Sequence, residues 1–167
     1  MTPESAGATP FGIFSLADDF LQAARASAKV SPFGVAGPTR LLCYHAAELF
    51  LKTHLRSNGM SVVDLRRMQH DFTIMIDETK FFGLVLPGRA VKRAAVIKDR
   101  NDYVRVRYMV AEEANELTIQ QTLEFANDIR EAVRTTLNFN EHGMPIGQPW
   151  VAGEPADYLE SAGRPIR

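Results

Sequence analysis

Apolar side chains recur three and four positions apart along most of this chain, the spacing that lines one face of an α-helix. Leu16, Phe20, Ala23 and Ala24 follow Ser15 and the acidic pair Asp18 and Asp19. Ser15 fits an N-cap, and acidic side chains in a first turn suit the positive end of the helix dipole. The pattern predicts a helix from about 15 to 29. "VSPFGVAGP" then interrupts it with two prolines and two glycines. In "TRLLCYHAAELFLKTHLRSNG", Leu42, Ala46, Leu49 and Phe50 form one stripe, widened by Leu41, Leu51 and Leu55. This predicts a long helix stopped by Asn58-Gly59. Ser61 fits a cap for "VVDLRRM", and Asp71 opens "FTIMIDETKFFG". They are expected to make one helix, kinked near His70 and ending at Gly83.

"LVLPGR" reads as a connection, and the segment after it is ambiguous. Within Val104 to Val110 apolar and basic residues alternate as far as Tyr108, which alone is a strand pattern. The half before it, "AVKRAAVIKDRNDY", is rich in alanine and lysine. Ile97, Val104 and Tyr108 also recur at helical offsets. No turn residue separates the halves, and a lone strand without a partner is unstable. The segment 89–108 is therefore expected to be helical throughout. Thr118 fits a cap for "IQQTLEFANDIREAVRTTL", where Leu123, Ala126, Ile129 and Val133 lie close together and charges lie opposite. The expectation is an all-α, antiparallel up-and-down bundle of four to five helices over 15–138. An N-terminal arm, 1–14, precedes it. A Pro/Gly-rich C-terminal tail, 139–167, follows, with Trp150 and Tyr158 expected to pin it to its own domain or to a partner subunit.

The 167 residues suffice for one domain with its own core. A formal net charge of −1 excludes a binder that grips nucleic acid with its whole surface, so any basic patch must be local. Cys43 is the single cysteine, so no internal disulfide forms. It reads as a small core residue, and a reducing cytoplasmic setting fits best. "MTPESAGATP" lacks the basic and apolar regions of a signal peptide, and no apolar run is long enough to span a membrane.

Two places carry candidate chemistry. His45, Glu48 and Lys52 share a helical face. A histidine and a carboxylate one turn apart suit an acid–base pair or two metal ligands. The plainer alternative is a solvated Glu48–Lys52 pair beside a half-buried histidine. His54, His70 and His142 show no ligand spacing, so neither a metal nor a cofactor is expected. There is no Gly-rich phosphate loop, CxxC, HExxH or GxSxG. The second place is the segment from Arg89 to Arg107, with seven basic residues and two acidic ones. On a continuous helix Arg100, Tyr103 and Arg107 fall on one side, and Asn101, Arg105 and Tyr108 on another. Arginines beside aromatics suit phosphate contact and base stacking. The alternative is a solvated basic face paired with "AEEANE" and with Glu124, Asp128 and Glu131.

Three pieces in order, "LCYHAAELFLKTHLRSNG", "MQHDFTIMIDE" and "RNDYVRVRY", resemble the HEPN family over roughly residues 38–137. These are small helical bundles related to the substrate-binding partners of minimal nucleotidyltransferases. The family commonly opens a helix with a His-Asp pair, here His70-Asp71. A later helix ends in Tyr-x-x-x-Arg-Tyr or in Arg-x4–6-His. The resemblance implies a homodimeric bundle, a nucleotide or RNA ligand and a nucleotidyltransferase partner. In many members the Arg-x4–6-His motif cuts RNA without a metal. Arg100-Asn101 fits its start, but Arg105 stands where the histidine would be, and arginine cannot accept a proton near neutral pH. Tyr103, Arg107 and Tyr108 fit the Tyr-x-x-x-Arg-Tyr form.

The leading expectation is a HEPN-like module binding nucleotide, RNA or a protein partner through Arg100, Tyr103 and Arg107. Asn101, Tyr108, His45 and Glu48 stand beside them. The second is a metal-independent, toxin-like endoribonuclease with a degenerate motif. There His45 or His70 would act as the base and Arg100 would stabilise the phosphorane charge. The third is a structural or regulatory dimerisation module.

Overall fold

A computed structural model describes residues 9–30, 37–108 and 117–147. Among them the fold is all-α, as the pattern predicts, with seven helices: α1 (Pro10–Val30), α2 (Gly37–Ser57), α3 (Val62–Arg67), α4 (Phe72–Phe81), α5 (Gly88–Asp99), α6 (Asp102–Arg105) and α7 (Ile119–Thr136). The number exceeds four or five because two of the expected helices each break in two. "AEEANE", Trp150 and Tyr158 lie outside the described residues.

α2 is the central helix, packed against α1, α3, α4 and α7. Cys43, Tyr44, Ala46, Ala47, Phe50, Leu51 and Leu55 are all buried, and buried Thr39, Arg40, Glu48, Thr53 and His54 widen that face beyond half of the helix. A helix buried on most sides belongs in the middle of a bundle. Around it Phe14 meets Phe50 with ring centroids 5.0 Å apart, and Phe72 meets Phe125 at 5.2 Å. Cys43 lies in this core, where burial pushes its thiol up to about 12. Among the described residues no helix is long and apolar enough to cross a membrane.

The helix ends follow local chemistry. α1 begins at Pro10, ahead of the expected Ser15. Thr9 Oγ1 accepts the backbone N–H of Gly12 at 3.0 Å, and proline suits a first helical position because no acceptor awaits its missing N–H. The expected N-terminal arm therefore includes the first turn of α1, and Phe14 is core. Asn58-Gly59 ends α2, with Gly59 left-handed at φ 89° and Met60 N–H donating to Leu55 O at 3.1 Å. Ser61 caps α3 by accepting Asp64 N–H, and Asp71 caps α4 by accepting Thr73 and Ile74 N–H. Between these helices Gln69 is left-handed at φ 50°, so the expected kink is a full break. Thr118 and Gln121 form a reciprocal capping box on α7.

The 89–108 segment coils and does not pair as a strand, but it is not one helix. Arg100 caps α5, Asn101 turns left-handed at φ 50°, and α6 starts afresh. Two arginines of the basic α5 face pair with two α7 carboxylates that the plainer alternative named. Arg89 reaches Asp128 at 2.5 Å and Arg93 reaches Glu124 at 2.7 Å. The first residues of the expected tail return to the bundle. Phe139 bridges to Pro145 and is buried against Phe14, centroids 5.2 Å apart.

Candidate functional site

His45, Glu48 and Lys52 share a face of α2, and the site grows outward from Glu48. This carboxylate is 3% exposed, so the pair it forms with Lys52 at 2.5 Å is not solvated. Its other oxygen faces His70 Nδ1 at 2.8 Å. His70 stands just before the α4 cap, where left-handed Gln69 and the Asp71 cap fix the chain's direction. Lys52 also donates to Gln69 O at 3.3 Å, tying α2 to the same break. Burial raises the Glu48 carboxyl, but the charge and hydrogen bond of Lys52, joined by His70, outweigh it and hold the group below its ordinary value.

α6 supplies the third side. The break at Asn101 turns Tyr103 inward, 4% exposed, with its hydroxyl 3.2 Å from His45 Nδ1. The His70 ring stacks on Tyr103, centroids 4.6 Å apart and 14° from parallel. Just past α6, the Arg107 guanidinium lies 4.9 Å from the Tyr103 centroid, and its Nη2 is 3.3 Å from His70 Nε2. Burial, then the Glu48 carboxylate, raise the Tyr103 phenol, which stays protonated. Burial also lowers His45, whose ring stands edge-on to Phe20, centroids 4.4 Å apart.

These contacts fix the His70 tautomer. Arg107 has only N–H donors, so His70 Nε2 must present its lone pair. The ring proton is then on Nδ1 and is donated to Glu48, an arrangement assigned from the network. Behind this cluster Tyr44 donates to Asp102 at 2.5 Å, and Asp102 is 2% exposed. That bond ties α6 to α2 and holds Tyr103 in place.

Of the residues singled out from the sequence, His45, Glu48, Tyr103 and Arg107 come together. Tyr103 does so as a buried shelf for His70 and Arg107, because a restarted α6 faces differently from a continuous helix. Arg100 is half-buried at the α5 C-cap, its N–H donating to Val96 O at 3.2 Å. Asn101 is exposed and makes no side-chain cap. Tyr108 is 80% exposed. Lys52 was legible by spacing, whereas the His70 contact with Glu48 joins residues 22 apart that no local pattern links.

The accessible chemistry is that of Arg107 and His70. The His70 side chain is 42% exposed, and Arg107 is exposed. Among the described residues Arg107 has no carboxylate partner. A guanidinium held by an aromatic ring and an imidazole, with no carboxylate partner among the described residues, can offer its other N–H donors to an external anion. No group of three His, Cys, Asp or Glu among the described residues could hold a metal ion. No family model, curated protein or solved structure matches the chain.

Proposed function

We propose that this chain is a HEPN-like module that binds a phosphate-bearing ligand, a nucleotide or a single-stranded RNA segment, at Arg107 and His70. The carrying observation is the Arg107 guanidinium, fixed over Tyr103 and 3.3 Å from His70, without a carboxylate partner among the described residues. Glu48 and Lys52 position His70, and Tyr103 supports both ligand-facing groups from below. A homodimer and a nucleotidyltransferase partner belong to the same reading and are tested by mass in solution and by co-purification. The deciding experiment is titration with adenosine monophosphate and with short single-stranded RNA at several salt concentrations. Affinity is expected to fall as salt rises. Arg107→Ala is expected to weaken binding by about tenfold or more, the worth of a charge-assisted hydrogen bond. Equal affinity in wild type and Arg107→Ala overturns the reading.

One observation favours a second reading, a metal-independent ribonuclease. Glu48 orients His70 with Nε2 facing outward beside Arg107. A histidine so oriented suits removal of the proton from a ribose 2′-OH, with Arg107 receiving the phosphate charge. RNA cleavage in EDTA that disappears in His70→Ala is expected under this reading. Binding without cleavage rejects it.

A further inference from the structure

We infer that the site binds its anion together with a proton, because Arg107 and His70 lock each other in the free protein and an anion releases both. The inference rests on the phosphate reading for the identity of the anion. In the free protein both His70 nitrogens are engaged: Nδ1 on Glu48 at 2.8 Å and Nε2 with Arg107 at 3.3 Å. Only the neutral ring satisfies this pattern. A second proton, on Nε2, removes the acceptor that Arg107 uses and sets imidazolium against guanidinium. An anion reverses the balance. When a phosphate oxygen takes the Arg107 N–H groups, Nε2 gains a proton from solvent and donates it to a second phosphate oxygen. The complex then carries one proton more than the free protein, and two cationic donors flank the ligand.

The surroundings leave His70 as the group that changes charge. From α2 it faces Glu48, held below its ordinary value and bound by Lys52, and His45, which burial lowers. From α6 and the turn after it come Tyr103 and Arg107. Next to it in the chain, the α4 cap Asp71 is occupied by Lys98 of α5 at 3.0 Å and by Thr73. Glu48 serves both states, because it accepts the Nδ1 proton whether the ring is neutral or charged. The pair resembles a latch, closed by a neutral ring and opened by acid and anion acting together.

The test uses a short oligouridylate without terminal phosphates. Its phosphodiester charge stays constant between weakly acid and neutral pH, so any proton taken up belongs to the protein. Affinity is expected to tighten as pH falls, by up to about tenfold per pH unit, the limit for linkage to one proton. Calorimetry in two buffers of different ionisation heat is expected to register that uptake. In His70→Gln, affinity is expected to be flat with pH and uptake absent. If oligouridylate binds through Arg107 with pH-independent affinity and no uptake, the inference fails and the phosphate reading stands. If oligouridylate does not bind, the RNA form of the phosphate reading fails, and the ligand-free protein decides the latch. There the Arg107 Nε–Hε group, followed by nitrogen-15 relaxation, is expected to be ordered near neutral pH and to loosen with acid. No such loosening is expected in His70→Gln. Arg107 order that ignores pH in the wild type overturns the latch.

Discussion

Glu48 shows how a charge survives in the core of this protein. At 3% exposure desolvation alone raises a carboxyl, yet Lys52 at 2.5 Å and His70 at 2.8 Å reverse the sign. A folded value below the unfolded one means the unfolded chain takes up its proton first as pH falls. The Glu48 contribution is therefore complete above the unfolded carboxyl value, about 4.3, and is lost as pH falls through the lower folded value. Glu48→Gln keeps the shape but leaves the largely buried Lys52 without a counter-charge. It is expected to cost about 3 kcal/mol near neutral pH, because breaking a buried pair strands the partner. Urea denaturation of both proteins checks this. The gap is expected to narrow as pH drops through the carboxylate range, where wild-type Glu48 itself becomes neutral. A gap independent of pH would separate the loss from the charge.

The elements of this fold are set by caps, and the site is set by what happens between them. Asn101, left-handed at φ 50° without a side-chain cap, divides α5 from α6. Asparagine tolerates that conformation, glycine accepts it freely, and a β-branched residue fits it worst. Asn101→Gly is expected to fold with wild-type stability or slightly more. Asn101→Val is expected to lose about 1–2 kcal/mol. It is also expected to weaken RNA binding, since a straightened segment turns Tyr103 out of its contacts with His45 and His70. Denaturation midpoints and the RNA titration read the two effects separately. The same break explains how much of the site was legible. Ser61, Asp71 and Thr118 are visible as caps because each acts on backbone within three residues of itself. Thr9-Pro10 carried a comparable start signal, obscured by the Pro- and Gly-rich residues around it. Gln69 leaves no composition signal for its left-handed turn, and Asn101, a residue type that tolerates one, leaves only a weak signal inside an otherwise helical run. A wheel drawn through 89–108 therefore grouped Arg100 with Tyr103 and Arg107, and aimed Tyr103 at a ligand when it faces the core. The α2 face of His45, Glu48 and Lys52 was legible because helical spacing is local. Its meeting with Tyr103, where the His45 contact spans 58 residues, is made by packing alone.

At the scale of the whole molecule, the first and last described segments meet. Residues 138–147 fold back onto α1 through a small, tight return: Asn140 N–H donates to Met144 O at 2.8 Å, and Ile146 N–H to Asn138 O at 3.0 Å. Arg130 of α7 secures it from the side, bonding Asp18 of α1 and Glu141 O. Gly143 and Gly147 both sit left-handed in this return, at φ 76° and 77°, but their surroundings differ. A Cβ on Gly143 would lie 2.7 Å from Phe14 Cε1, whereas one on Gly147 would meet nothing within 4 Å. Phe14 cannot yield, being fully buried between Phe50 at 5.0 Å and Phe139 at 5.2 Å, with Arg130 5.6 Å from its ring centroid. Alanine at either site carries the same backbone strain, so the pair isolates the contact. Gly147→Ala is expected to cost about 1 kcal/mol, the left-handed penalty alone. Gly143→Ala adds overpacking against a ring with no room and is expected to cost about 3 kcal/mol. Urea denaturation of both variants measures the difference. Equal losses would mean that the return does not press on Phe14. A larger loss at Gly143 would place this segment within the cooperative core, bonded to the first helix, where the composition of 139–167 had suggested only a tail.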